Sequence, residues 1–196
     1  MTEQQPYDVV RRFDGFELRR YPAHVVAEVT LNAGFEDAGS RAFRYLFGYI
    51  SGDNRSRSKV AMTAPVIQAD ARSVSEKIEM TSPVVQQSTA AGGYRVAFVL
   101  PATYTRDSAP EPTNPAVGVR EVAASTAGVI RFSGRWSASR FHQHLDELRR
   151  GLLAAGFTPV GPPRFARFDP PFLPPFLRRN EVILDIAEPE DLSPES

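Results

Sequence analysis

Cysteine is absent from this chain. Its absence removes disulfides, thiolate metal sites, iron–sulfur clusters and cysteine nucleophiles together. An excess of charge of one sign is missing too: 23 Lys and Arg balance 23 Asp and Glu, for a formal net charge of +0. Such a chain has no global basic field, so no nucleic-acid partner is expected. No apolar run approaches the length of a membrane span. The opening Met1-Thr2-Glu3-Gln4-Gln5-Pro6 lacks the basic start and apolar stretch of a secretory signal, so a cytoplasmic protein is expected. The chain has no Gly-rich phosphate loop, no His-Glu-x-x-His and no nucleophile elbow. Asp146 and Glu147 are adjacent and would point in different directions on a helix. No catalytic constellation stands out. What is present is ample apolar material: 42% of 196 residues are hydrophobic and 10% aromatic, enough for one domain with a sizeable core.

One octapeptide occurs twice. Lys59-Val60-Ala61-Met62-Thr63-Ala64-Pro65-Val66 returns as Lys77-Ile78-Glu79-Met80-Thr81-Ser82-Pro83-Val84. Val60, Met62, Ala64 and Val66 alternate with the rest of the first copy, as do Ile78, Met80, Ser82 and Val84 in the second. A period of two marks a strand with one apolar face. The pair therefore reads as an antiparallel hairpin across the polar loop 68–73, with Met62 and Met80 on one face. The proline in each copy cannot donate to a ladder and places an edge or an end there.

Further strands are expected at 7–13, 16–21, 24–31, 94–100, 117–122, 128–132, 164–168 and 181–186. Helices are expected at 34–50 and 137–156, the second with Ser137 or Ser139 as N-cap. Residues 188–196 read as a flexible acidic tail. Two halves emerge, about 16–86 and 94–187, each with strands, a helix and further strands.

The helices differ. The second carries one narrow stripe, Phe141, Leu145, Leu148, Leu152 and Ala155, which suits packing on one side. The first carries Ala38, Ala42, Leu46 and Tyr49 on one face and Phe43, Phe47 and Ile50 on an adjacent one. So wide an arc needs a second cover, either a protein segment or a ligand, because monomers avoid such patches. The segment with Phe165, Phe168, Phe172, Leu173 and Phe176 among six prolines is a candidate for either role. It clamps the core, or it forms the other wall of a cleft in which a flat apolar ligand stacks.

The chain resembles the SOUL/haem-binding protein family. The doubled Lys-x-x-Met-Thr-Ala/Ser-Pro-Val carries the resemblance, with Phe16-Glu17-Leu18-Arg19-Arg20-Tyr21-Pro22-Ala23, Phe132-Ser133-Gly134-Arg135-Trp136-Ser137, and Phe168-Asp169-Pro170-Pro171-Phe172 followed by Arg178-Arg179-Asn180-Glu181-Val182. The motifs occur in the family's order and imply a single domain over 7–187. The implied fold is α+β: a pseudo-symmetric, distorted antiparallel β-barrel of two fused strand–helix–strand halves, flanked by two helices. The implied ligand is non-covalent haem or another tetrapyrrole, and the implied role is that of a soluble monomeric carrier or buffer. An enzyme acting on a tetrapyrrole or apolar small molecule in the same cleft, or a small-molecule effector sensor, remains the alternative.

The site expected from the first helix's apolar arc, the repeat and the aromatic proline segment is an open hydrophobic cleft of Phe43, Phe47, Ile50, Met62, Met80, Phe168, Phe172, Phe176 and Arg178. Arg178 or Arg179 would meet a propionate, or pair structurally with Glu181 or Asp185. Met62 and Met80 would pack, or offer soft thioether ligands to iron. Axial ligation is expected to be weak or absent. The histidine that some family members carry before the strand-turn tyrosine is Arg20 here. The helix-one basic residues of animal relatives correspond to Ser40 and Gly48. His24, His142 and His144 are poorly placed. Glu79 is the one acid that enzyme chemistry would use; as a strand residue it would otherwise be solvated.

Overall fold

The computed structural model describes residues 3–57, 74–170 and 172–187. In chain order its elements are β1 (Glu3–Gln4), β2 (Asp8–Arg12), β3 (Glu17–Tyr21), β4 (His24–Leu31), α1 (Phe35–Ser51), β5 (Asn54–Arg55), β6 (Thr81–Ser82), β7 (Val84–Thr89), β8 (Gly93–Val99), β9 (Glu111–Pro112), β10 (Gly118–Val122), β11 (Ser125–Phe132), α2 (Ala138–Ala154), β12 (Arg164–Arg167), a 3₁₀ turn (Pro175–Leu177) and β13 (Asn180–Asp185). Nine strands make one antiparallel sheet in the order β10-β4-β8-β7-β12-β13-β11-β3-β2, curled into a half-barrel. The expected α+β distorted barrel with two helices is what forms.

Its pseudo-symmetry is explicit in the pairing. Each half has an eight-residue strand, β4 or β11, followed by a 17-residue helix. Each helix then packs on that strand and on one other: α1 on β4 and β8, α2 on β11 and β13, so β8, expected at the start of the second half, packs with the first. β7 and β12 join the halves at the centre. The Cα register aligns Phe98, Val84, Arg167, Asn180 and Phe132 in one row across β8, β7, β12, β13 and β11. Residues directly opposite share a face. Phe98 belongs to the core under α1 and Phe132 packs against the core under α2, so both helices cover the same face of the sheet.

The helices end for local reasons. Glu36 and Asp37 sit in the first turn of α1, where acids suit the helix dipole. Gly52, at φ 129°, turns the chain out of α1, and Asp53 N–H donates to Gly48 O at 2.9 Å. Ser137 occupies the N-cap of α2, but its hydroxyl makes no capping hydrogen bond. Phe141, Leu145, Leu148 and Leu152 are buried as the stripe predicts, whereas Ala155 lies past the helix end and is exposed.

The repeat behaves differently from the hairpin reading. Its first copy, including Met62, lies outside the described residues. In the second copy residues 77–80 are not a strand: Ile78 is buried but Met80 is 37% exposed, and Thr81 and Pro83 are the next residues to turn inward. The cause is a backbone clamp. Ile78 N–H donates to Ile50 O at 2.8 Å, tying the segment to the end of α1. Buried Asn54 donates to Tyr49 O and Glu76 O at 2.6 and 2.7 Å and accepts from Glu76 N–H at 2.9 Å. Satisfying helix-end carbonyls outweighs a strand pattern of four residues. Regular pairing in the main sheet begins only at Val84, and that strand runs on to Thr89, beyond the expected end.

Candidate binding site

The second apolar face of α1 stays open. Phe43 is 41% and Phe47 48% exposed, while Ile50 is buried in the core. Residues four apart stand over one another on a helix, and the two rings stack at 5.5 Å with 14° between planes. Phe43 also stands edge-on to Phe98, at 5.6 Å between centroids. The pair is thus a preformed aromatic shelf, anchored to the sheet at one ring and free at the other.

Two strands along the row from Phe98, about 10 Å at ordinary strand spacing, Arg167 emerges on the same face. Its guanidinium lies against the α1 backbone at Gly39, where a Cβ would collide with Nη2. Gly39 is one turn before Phe43, so shelf and guanidinium lie along one side of α1. Arg167 lies over the indole of Trp136, 4.0 Å from the ring centroid, and Trp136 stacks on Phe35 at 5.0 Å. Arg19, Arg164 and Arg179 are also drawn into the protein, and each meets a carboxylate. Arg167 meets none among the described residues. Burial therefore acts unopposed and pushes its pKa down to about 10. The adjacent Trp136 Nε1 is buried with no acceptor.

The other expected site residues are not gathered at this shelf. Phe168 faces the opposite side of the sheet, in the cluster with Tyr21, Val129 and Ile183, under the Arg179 guanidinium at 3.9 Å. Phe172 and Phe176 point into solvent at 87% and 73% exposure. Arg178 donates from Nε to Leu173 O at 2.7 Å and so holds its own loop. Met80 is partly exposed, and Ile78 and Val84 anchor the segment that carries it, at the end of α1 and beside Phe98. The prolines thus stiffen an aromatic loop without folding it over α1. The loop is pinned instead at Gly134, whose N–H donates to Pro175 O at 2.9 Å.

The histidines are engaged or remote. His24 Nδ1 lies 2.9 Å from Pro22 O and its Nε2 3.1 Å from Gln5 Nε2. The Nδ1–H tautomer satisfies both contacts, and burial holds its pKa below the ordinary value. His144 Nδ1 meets Glu147 at 2.8 Å, and His142 is exposed on α2. Among the described residues no group of three or more His, Asp or Glu could hold a metal.

Glu79 is exposed. The buried acid is Glu181, on the far face of the sheet. It accepts from Arg19 at 2.8 and 3.1 Å and from Arg179 at 2.7 and 2.9 Å. Arg19 in turn lies over Tyr7 at 4.0 Å. A carboxylate held between two guanidiniums, with both oxygens accepting, is a structural element. Of the two readings of Arg178-Arg179, Arg179 therefore takes the structural one. Arg167 went unremarked in the sequence because it stands in a strand reading Arg-Phe-Ala-Arg, where a surface position is the ordinary inference.

The model of the family described as SOUL heme-binding protein matches residues 2–185. No curated protein matches the chain. Among solved structures, the C-terminal domain of EcmrR is similar at a TM-score of 0.56 and 10% identity, covering 93% of this chain and 98% of that one. A protein from Listeria innocua described as a hydrolase gives 0.60 and 11%, covering 91% and 94%. EcmrR in a DNA complex gives 0.59 and 10%, covering 90% of this chain and 59% of that one. At these identities the likeness is one of fold.

Proposed function

The chain belongs to the SOUL haem-binding protein family, and from that membership we propose that it binds haem or a related tetrapyrrole reversibly, as a soluble cytoplasmic carrier or buffer. The observation that carries this reading is the half-exposed Phe43–Phe47 stack on α1. A flat macrocycle laid on that shelf would cover apolar surface that the protein leaves in water. The histidine contacts support binding through the ring rather than through iron, because two of the three are already engaged and His142 lies on the other helix. Iron-free protoporphyrin should then bind within about tenfold of haem.

Spectral titration with both pigments tests the proposal. A haem spectrum abolished by His24→Ala, His142→Ala or His144→Ala would overturn the ring-contact mode. Incubation with haem and a reductant separates carrier from enzyme. Recovery of intact haem supports the carrier, whereas turnover to an iron-free or ring-opened pigment would overturn it.

A further inference from the structure

We propose that Arg167, with the indole N–H of Trp136 beside it, is the carboxylate-binding end of the α1 shelf, so that the face takes a flat apolar ligand bearing a carboxylate. This rests on the reading of Phe43 and Phe47 as the binding face and adds the polar group that orients the ligand on it.

Three observations converge. The first is placement: Phe98, Val84 and Arg167 are register neighbours on one sheet face, and Phe43 stands on Phe98. The shelf and the guanidinium are therefore two parts of one surface under one side of α1. The second is vacancy of partners. Arg167 has neither carboxylate nor carbonyl acceptor among the described residues, and Trp136 Nε1 is a donor without an acceptor. A buried donor without an acceptor beside a half-buried guanidinium without a carboxylate suits an anion or another strong acceptor. The third is preorganisation. Gly39 leaves room for the guanidinium against the helix, and Trp136, itself stacked on Phe35, lies beneath it. A guanidinium held flat in this way presents its remaining N–H groups as a fork that fits a carboxylate.

Trp136 is the chain's single tryptophan, so ligand arrival can be read from its emission. The experiment titrates wild-type protein with 1-pyrenebutyrate and with 1-pyrenebutanol, following energy transfer from Trp136. The acid is expected to bind about tenfold tighter than the alcohol, as a charge-assisted hydrogen bond predicts. Arg167→Met should bring the two to parity while leaving the alcohol unchanged. Gly39→Ala, which displaces the guanidinium without removing it, should act in the same direction. Equal affinities in the wild type, failure of both probes to bind, or a preference that survives Arg167→Met would each overturn the proposal, and the wild-type comparison decides even if a variant fails to fold. Protoporphyrin and its dimethyl ester separate this proposal from the tetrapyrrole reading. If neither porphyrin binds but the pyrene preference depends on Arg167, the carboxylate site stands and the tetrapyrrole reading falls. If both porphyrins bind equally to wild type and Arg167→Met, the tetrapyrrole reading stands and the carboxylate site falls.

Discussion

Truncating Phe43 and Phe47 together tests the shelf most directly, because their partial exposure sets two magnitudes at once. A phenylalanine side chain offers about 200 Å². At 41% and 48% exposure, roughly 180 Å² of the pair remains open to a ligand. At about 25 cal/mol per Å², covering it is worth at most about 4.5 kcal/mol. Ordering costs lower the realised share, so the double alanine variant should bind protoporphyrin about 10- to 100-fold more weakly. The hidden portions set the stability cost. A fully buried phenylalanine loses about 3–5 kcal/mol on truncation to alanine; half-hidden rings should lose about 2 kcal/mol each. A chain of this size shifts by about 2–4 °C per kcal/mol, so the double variant should melt cooperatively about 10 °C lower. Porphyrin titration and thermal melting on one preparation separate the effects. A folded double variant that binds within twofold of wild type would refute the shelf. An unfolded one would show that the rings belong to the core.

Other outcomes follow from the charged groups. Arg167→Met should melt no lower than wild type, because a half-buried cation whose pKa falls from its ordinary value to about 10 is disfavoured in the fold at neutral pH; a clear drop would mean that the guanidinium has a partner in the fold. The sign is set by the unfolded chain, which binds the extra proton between those values, so wild-type stability should climb above about pH 10 relative to Arg167→Met. His24 has a lowered folded pKa, so its contribution is intact above about 6.5 and is lost as pH falls from there through the folded value. Urea melts across that window should slope in wild type and flatten in His24→Asn. Glu181→Gln removes the negative charge shared by Arg19 and Arg179 and turns one acceptor oxygen into a donor, and should cost about 3–5 kcal/mol in denaturant melts, with Arg19→Met, Arg179→Met doubly added recovering part of it. Met80→Leu should fold normally, at a cost under about 1.5 kcal/mol, and a shifted haem band in that variant would show sulfur at the iron.

Periodicity read the long elements well because tertiary packing reinforced it. β4 turns Val25, Ala27 and Val29 to the core under α1, each helix turns an apolar face to the sheet, and their expected positions lie within a residue or two of the observed ones. The second repeat copy failed the same test for a physical reason. Its alternation is carried by four residues, while the C-terminal carbonyls of α1 need donors, which the Asn54 side-chain amide and Ile78 N–H supply. Strand periodicity says nothing about such debts of the backbone. Half the shelf was legible as well. The width of the apolar arc on α1 exposed Phe43 and Phe47 as residues lacking a cover, since an arc of that width cannot all face one sheet.

The polar half of the site was hidden for the opposite reason. Arginine in a short strand between two apolar residues reads as a solvated position, and here strand alternation is obeyed: Phe165 and Arg167 share the helix-facing side while Ala166 and Phe168 face the other. What draws the Arg167 guanidinium in from the surface is Gly39, more than a hundred residues earlier in the chain, whose missing side chain lets it lie against the helix. Replacing either residue dissolves the arrangement, and neither is unusual alone. The direction of the aromatic proline loop was illegible for a related reason. Its composition promised a rigid wall, but rigidity does not set direction, and the Gly134–Pro175 bond points Phe172 and Phe176 outward. Pairing across the sheet, rather than composition along the chain, therefore decides which charged and aromatic groups can meet one ligand. By that criterion Arg167, and not Arg178, is the cation that shares a face with the α1 stack.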